Sequence, residues 1–316
     1  MKKLLHALPF PACGVMLALA ALGNLLQGVF SNIFGLTAEG ELARCVCGGL
    51  SAALWLLLTA KLAIDRHDIL GSISTDAAAA STSATYPMGT IMLLSYIKPI
   101  LPEAAAQILW FAAVLLHGAY IAWFACKYIL HFRLERVYAS YFVVFVGATT
   151  WAITAPVFRH TGLGTAAFFF ALTCLLCLFI PVTLRYVRLP VPEAARPLFC
   201  IYTSPAALCL TAYAKSVAGK HTAMVIFLLA LSSTLWLAVL SRMPSLLRLP
   251  FYPSYASFTF PFVITATAAD QSRIYFDSIG MGQSWLTPVV VIETIIAACL
   301  VFYTLFRYIK AVAEKM

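Results

Sequence analysis

The sequence predicts an all-α integral membrane protein with ten transmembrane helices. Hydrophobic residues make up 62% of the 316 positions and charged residues only 10%, whereas soluble domains carry about 25% charged residues. The apolar residues are grouped in runs of about 20, the length that a helix needs to cross a bilayer. Between these runs the connections are short, apart from residues 65–84. We therefore expect lipid to cover most of the chain, and residues 1–316 to form a single transmembrane domain.

Ten apolar runs can span a membrane if tilt and proline interruptions are allowed. Their approximate limits are 9–30, 40–63, 85–101, 104–127, 138–158, 162–186, 197–216, 221–242, 252–271 and 286–309. Residues 65–84 are rich in alanine, serine and threonine, show no helical periodicity and are predicted to form a loop. The sequence therefore predicts a multi-pass protein with an even number of spans.

The distribution of lysine and arginine predicts the orientation. A cytoplasmic N-terminus would place 15 of the 21 Lys and Arg residues on the cytoplasmic side and 5 on the other, with Arg44 near the outer end of the second span. Basic residues are concentrated in cytoplasmic loops of membrane proteins. We therefore expect both termini in the cytoplasm and a location in the cell (inner) membrane. The net charge of +9 is explained in this way and does not indicate nucleic-acid binding.

Proline placement distinguishes the odd spans from the even ones. The odd spans carry internal or near-terminal prolines, namely Pro9, Pro11, Pro87, Pro156, Pro205 and Pro261. In the even spans, prolines are found only near the ends, at Pro181, Pro244 and Pro288. An internal proline removes a backbone hydrogen bond, which membranes tolerate where protein or a water-filled cavity covers the site. This pattern predicts five helical hairpins, each with a kinked inner and a smooth outer helix. The alternative explanation for these prolines is that proline is generally more frequent in membrane helices than in soluble ones.

The odd spans contain hydroxyl groups and lack carboxylates in their apolar interiors. The hydroxyl residues are Thr149, Thr150, Thr154, Ser204, Thr259, Thr265 and Thr267. Cation pathways and proton relays usually place acidic residues at mid-membrane, so this composition argues against cation transport. Hydroxyl donors can partly replace the hydration of an anion. The alternative is that serine and threonine pack the helices together.

The ninth span contains a phenylalanine that stands apart from its aromatic neighbours. Phe258 and Phe262 are four residues apart and share a helix face, whereas Phe260 points roughly the opposite way. Pro261 follows Phe260 and is expected to kink the helix there. A large apolar ring beside a kink can close a pore by excluding water. The alternative is that Phe260 is packed in the protein core.

Four other sites are weaker candidates. His117 could bind a proton in the fourth span, and Glu293 could couple protons or pair with Arg44. Arg159–His160 and Arg273 could attract anions at the outer mouth. The nine cysteines lie mostly inside apolar runs and are expected to be packing residues. No catalytic, nucleotide-binding or metal-binding motif is present, so we expect neither an enzyme nor a cofactor or metal site.

Two segments resemble a known family. LPFPACGVMLALAALGNLL in the first span and SFTFPFVITATA in the ninth resemble the tellurite-resistance/dicarboxylate transporter family, which includes bacterial homologues of the plant guard-cell slow anion channel. The seventh span, with Pro205 in YTSPAALCLTAY, supports the resemblance, which extends over essentially the whole chain.

This resemblance implies a fold, an assembly and a gate. The family fold has five helical hairpins around a central pore, with the odd helices inside, and its members form homotrimers. A phenylalanine on the ninth helix occludes the pore, and Phe260 occupies that position. The resemblance also implies a pore-facing Gly14, although the first span lacks the further glycines of some relatives. The long cytoplasmic tails of the plant channels have no counterpart here.

These observations lead to one principal hypothesis and an alternative. The principal hypothesis is a membrane protein that conducts small anions through a pore gated by Phe260. The predicted lining or kink positions are Gly14, Pro87, Thr150, Pro156, Ser204, Pro205, Thr259 and Pro261. The alternative is a proton-coupled transporter of malate or other small dicarboxylates, dependent on His117 or Glu293, or an exporter of tellurite or sulfite.

Overall fold

The chain is helical throughout the part that the structure describes. The structure is a computed structural model, describes residues 2–316, and contains no strand within that range. The helices, in chain order, are α1 (Lys2–Ala7), α2 (Cys13–Ile33), α3 (Thr37–Ile64), α4 (Arg66–Thr75), α5 (Ala77–Ser83), α6 (Thr85–Ile97), α7 (Glu103–Phe124), α8 (Tyr141–Phe145), α9 (Thr149–Thr154), α10 (Thr161–Arg188), α11 (Ser204–Ser216), α12 (Thr222–Leu240), α13 (Met243–Leu246), α14 (Phe260–Ser278) and α15 (Leu286–Ala313). The prediction of an all-α fold is therefore confirmed.

Within residues 2–316, seven helices are long and apolar enough to cross a membrane. They are Phe10–Ile33, Thr37–Ile64, Glu103–Ile129, Thr161–Arg188, Glu193–Ser216, Thr222–Leu240 and Leu286–Ala313. The other three predicted spans contain shorter or less apolar helices: α6, the broken pair α8 and α9, and α14, whose second half is polar. The chain is thus a multi-pass membrane protein, and the number of ten spans remains a prediction.

Burial separates two groups of helices. In the most apolar part of the Phe10–Ile33 and Glu193–Ser216 spans, 72% and 89% of residues are buried, against 28–39% in the five other spans. Helices α2, α6, α9, α11 and α14 pack in that order, and α14 returns to pack against α2. These five helices therefore form a closed ring. Each one also packs against the long helix that follows it in the chain.

The prediction of a loop at residues 65–84 is wrong. Residues 66–75 form α4 and residues 77–83 form α5. The Asp76 carboxylate accepts a hydrogen bond of 2.8 Å from the backbone N–H of Ala78, which caps the start of α5. The four alanines after Asp76 have the highest helix propensity of any residue. Because both helices are short, they leave little periodicity in the sequence to recognise.

The positions of several prolines also differ from expectation. Pro181 lies inside α10, which continues beyond it to Arg188, rather than near the end of an even span. Pro205 and Pro261 lie in the first turns of α11 and α14, where the missing N–H has no intrahelical partner to lose. The prolines of the seventh and ninth spans therefore begin α-helices rather than kink continuous ones. Pro156 lies in the turn that follows α9.

The start of α10 provides a test of how tightly the helices pack. A Cβ atom at Gly164 would lie 2.8 Å from Ser216 Cβ and 2.9 Å from Ala155 Cβ. We expect Gly164→Ala to destabilise the protein by about 1–3 kcal/mol, as overpacking of a core does. The measurement is the melting temperature of the protein in detergent. Gly162→Ala is the matched control, because nothing lies within 4 Å of that Cβ. Equal melting temperatures for the two variants would contradict this close packing.

Candidate functional site

Three helices of the ring begin at a change from 3-10 to α-helix. Phe10–Ala12 precedes α2, Glu193–Thr203 precedes α11, and Pro253–Phe258 precedes α14. The ring segment between Tyr141 and Thr154 is interrupted by a 3-10 turn as well. Such interruptions leave backbone groups outside a regular α-helical ladder, which in a membrane protein requires cover by protein or a cavity.

The interruptions meet at a small cavity of about 30 Å³, room for about one water molecule. Ring helices α2, α6, α11 and α14 contribute to its wall, together with the segments next to them. The lining residues include Gly14, Thr82, Thr85, Met88, Val143, Ile201, Ser204, Leu208, Ala256, Ser257, Phe260 and Pro261. Of the described residues that line it, none is charged. This narrow neutral space lies on the axis that the five ring helices share.

Two larger cavities continue the small one in opposite directions. The first, which we call the vestibule, has a volume of about 770 Å³ and shares Pro11, Thr82, Ala256 and Ser257 with the small cavity. The second, which we call the distal cavity, has a volume of about 590 Å³ and shares only Phe260 with it among the described residues. Phe260 is therefore the residue that the walls of the small and distal cavities have in common.

The position of Phe260 follows from the helix break before it. The backbone of Thr259 has φ −105° and ψ −89°, which is neither helical nor extended, and α14 begins at Phe260. Phe258 and Phe262 are completely buried, and the Phe258 ring packs against Tyr255 at a centroid distance of 4.6 Å. The two neighbouring rings thus anchor the segment in the core, while Phe260 faces the cavities. The prediction that Phe258 and Phe262 share a helix face assumed one continuous helix, whereas Phe258 belongs to the 3-10 segment Pro253–Phe258 and α14 begins only at Phe260.

Gly14 allows α2 to approach the break closely. A Cβ atom at this position would lie 3.1 Å from Ala256 Cβ, and the Thr259 hydroxyl lies 3.4 Å from the Gly14 carbonyl oxygen. The first and last helices of the ring therefore meet backbone to backbone beside the small cavity.

The predicted lining residues divide into two groups. Gly14, Ser204, Phe260 and Pro261 line the small cavity, and Thr150 lines the distal one. The remaining predicted positions line none of the three cavities, and these are Pro87, Pro156, Pro205 and Thr259.

The hydroxyl groups of the odd spans are bonded to the backbone. All seven donate a hydrogen bond to a carbonyl oxygen three or four residues earlier in the chain. For example, Thr150 donates to Gly147 and Ser204 donates to Ile201, each with a donor–acceptor distance of 2.8 Å. Their protons are thus directed away from the path. In this structure the attraction for an anion has to come from other groups.

His117 and Glu293 lie away from the cavities. His117 Nδ1 accepts a hydrogen bond of 2.9 Å from Trp151 Nε1, and neither His117 nor Glu293 lines any of the three cavities. The possible pairing of Glu293 with Arg44 is wrong, since Arg44 bonds to Asn24 at 3.1 Å and Glu293 Oε2 has no partner among the described residues.

Sequence reasoning did not identify the charged groups of the distal cavity as site residues. Arg44, Lys215 and Asp270 line it, and α14 continues past the predicted limit at residue 271 to Ser278. The apolar part of the ninth span carries no carboxylate, as expected, but Asp270 at its end belongs to the same helix and lines the cavity. A signal was present, because Asp270 and Arg273 have the spacing of an ion pair on a helix. Arg273, predicted as a free charge at the mouth, is bonded to Asp270 at 2.7 Å.

The vestibule contains a linked set of charged groups. Lys61 Nζ donates to the Leu5 carbonyl at 2.9 Å and to Asp65 Oδ2 at 2.8 Å, and His6 Nδ1 lies 2.9 Å from Asp65 Oδ1. The ammonium group thus bonds to a carbonyl at the end of α1, a favourable place for a cation. The hydrogen bond from Lys61 holds the pKa of Asp65 below its ordinary value of 3.8, against the effect of desolvation.

A comparison with known protein families decides the class of this protein. A family model described as SLAC1, voltage-dependent anion channel, matches residues 8–309. This chain belongs to the SLAC1 family. The predicted resemblance to the tellurite-resistance/dicarboxylate transporters is confirmed, and SLAC1 membership makes the chain a membrane anion transporter or channel. No curated protein matches the chain.

The Asp65 cluster predicts a pH dependence of stability. Because the folded-state pKa lies below 3.8, the carboxylate stabilises the fold above that pH, and this contribution is lost as the pH falls from 3.8 through the folded value. In this pH window, we expect the melting temperature of Asp65→Asn to depend less steeply on pH than that of the wild type. Asp68→Asn is the control, since Asp68 is exposed and forms no ion pair among the described residues. An unchanged slope in Asp65→Asn would contradict the assignment.

Proposed function

We propose that this protein conducts small anions passively along the axis of the helical ring, with Phe260 as the gate. The observation that carries the proposal is the position of Phe260, which is shared by the small and distal cavities. The neutral wall of the small cavity supports it, because a narrow apolar constriction excludes water and with it a hydrated ion. Movement of the Phe260 side chain would join the vestibule to the distal cavity.

The packing of the helices supports ten spans in five hairpins around this path. Ring helices α2, α6, α9, α11 and α14 each contact the long helix that follows in the chain, as the hairpin proposal requires. The shorter ring helices do not need to be apolar along a full membrane thickness if they face the cavities and their hairpin partners face lipid. In this arrangement, the interrupted backbone would lie where protein or water can satisfy it.

Proton-coupled dicarboxylate transport is a weaker proposal for this chain. The two residues on which it was predicted to depend, His117 and Glu293, line none of the three cavities. The small cavity offers no titratable carboxylate or histidine among its described lining residues. These positions favour a channel over a carrier.

The orientation and assembly are also part of the proposal. The excess of lysine and arginine on one side supports a location in the inner membrane with both termini in the cytoplasm. In this orientation, the vestibule would be the cytoplasmic entrance. We propose a homotrimer with one path in each protomer, because the family that the sequence resembles assembles in this way.

The gate is tested by Phe260→Ala. We expect anion flux into liposomes to rise about tenfold or more, because the phenyl group between the small and distal cavities is removed. A tenfold rise corresponds to lowering the barrier to passage by about 1.4 kcal/mol. The assay compares chloride, nitrate, sulfite and malate, with circular dichroism and gel filtration to establish that each variant is folded.

The matched control for this experiment is Phe306→Ala, since Phe306 lies on α15 and is 62% exposed. It makes the same chemical change away from the path and should leave flux unchanged. A folded Phe260→Ala protein with the flux of the wild type would refute the gate. Flux of malate alone, driven by a pH gradient, would favour the carrier instead.

A further inference from the structure

The distal cavity holds three charged side chains from three different helices. Arg44 comes from α3, Lys215 from the end of α11 and Asp270 from α14. The other described residues that line it are uncharged. Its volume of about 590 Å³ lies within the range of small-molecule sites. The balance of these charges therefore determines which ions the cavity can hold.

The Asp270 carboxylate is neutralised by its own helix. Arg273 Nη2 and Nε both donate to Asp270 Oδ1, at 2.7 and 3.1 Å. Both side chains are largely buried, with 6% of the Asp270 side chain and 11% of the Arg273 side chain exposed. Arg273 Nη1 also lies 3.3 Å from Asp277 Oδ2, but half of the Asp277 side chain is exposed, so that attraction is weak. The buried pair with Arg273 offsets most of the Asp270 charge, and Asp270 therefore does not make the cavity negative.

Arg44 is held in place and keeps donors to spare. Its Nε donates to Asn24 Oδ1 at 3.1 Å, and its guanidinium carbon lies 4.6 Å from the centre of the Tyr96 ring. Glu41 is the nearest acid, at 4.0 Å, and half of its side chain is exposed, so it contributes little attraction. A guanidinium fixed on one edge presents its remaining N–H groups as a fork that suits the oxygens of an anion.

Lys215 forms no contact ion pair. Its ammonium group forms no salt bridge or hydrogen bond within residues 2–316, and its one acidic neighbour on the cavity wall is Asp270, which attracts it from a distance. The side chain is exposed where it lines the cavity, so it is open to water and to a counter-ion. Two basic groups, Arg44 and Lys215, thus remain available to an anion around one cavity.

We propose that Arg44 and Lys215 form an anion-binding site in the distal cavity, which takes a small oxyanion or carboxylate before it passes Phe260. The proposal rests on the proposed function for the direction of passage, but not for the site itself. The hydroxyl groups of the path are bonded to the backbone, so these two cations supply the attraction that the neutral constriction lacks. Asp270 and Arg273 form the neutral wall beside them.

The site is tested first by binding. Nitrate and malate are titrated into the purified protein at low ionic strength, with calorimetry as the readout. We expect Lys215→Gln and Arg44→Gln each to weaken binding about tenfold, the loss of a charge-assisted hydrogen bond. Lys220→Gln is the matched control, because Lys220 lines none of the three cavities. Unchanged binding in both cavity variants, or an equal loss in Lys220→Gln, would overturn the site.

The neutral pair provides a second test that does not remove either proposed ligand. Arg273→Gln leaves the Asp270 carboxylate uncompensated, and we expect nitrate binding to weaken because the cavity then contains a free negative charge. The double variant Asp270→Asn with Arg273→Gln removes both charges, and binding should recover. Failure of the double variant to recover, when it is folded, would contradict this account of the cavity charge.

Flux separates this site from the gate. In the Phe260→Ala background, Lys215→Gln should raise the half-saturating nitrate concentration about tenfold. If Phe260→Ala fails to increase flux while Lys215→Gln weakens nitrate binding, the gate is refuted and the site stands. If Phe260→Ala increases flux and Lys215→Gln changes neither half-saturation nor binding, the gate stands and the site is refuted.

Discussion

The architecture depends on one requirement, the satisfaction of backbone hydrogen-bonding groups inside a bilayer. Lipid offers neither donors nor acceptors, so a broken helix can exist at membrane depth only behind protein or beside a cavity. In this chain three ring helices, α2, α11 and α14, follow 3-10 segments and are mostly buried, whereas the long helices of the outer group are more exposed. The difference in burial between the two groups of helices follows from this requirement.

The breaks create the features that the path needs. α14 starts at Phe260, which is buried with 6% exposed, as are the completely buried Phe258 and Phe262. Unlike those two residues, Phe260 lines the small and distal cavities. Gly14 lets the neighbouring backbone come close enough to make the cavity narrow. The constriction is neutral, and the charged groups lie in the wider cavities on either side. In the proposed channel, such a neutral constriction would exclude water, and the charged cavities on either side would keep ions near it.

The sequence predicts the coarse features of this protein well, and its local geometry less well. Composition and hydrophobic length are averaged over many residues, so the all-α membrane fold and the odd-to-even alternation are recognisable. The position of Phe260 could be predicted because its proline and two flanking phenylalanines define a local pattern. The contacts of Lys215 and Asp270 depend on which helices become neighbours, and hydropathy does not encode that. The short helices α4 and α5 escaped prediction because a Ser- and Ala-rich segment carries no apolar stripe.

Closure of the ring has a consequence for how the protein is made. The contact between the Thr259 hydroxyl and the Gly14 carbonyl joins residues 245 positions apart. During synthesis at about 5–20 residues per second, α2 therefore waits on the order of ten seconds or more for the segment that closes the ring. Throughout that interval its small-residue surface lacks a partner that covers it in the finished protein. The ring is thus completed late, by α14, and α15, which also packs against α2, arrives after it.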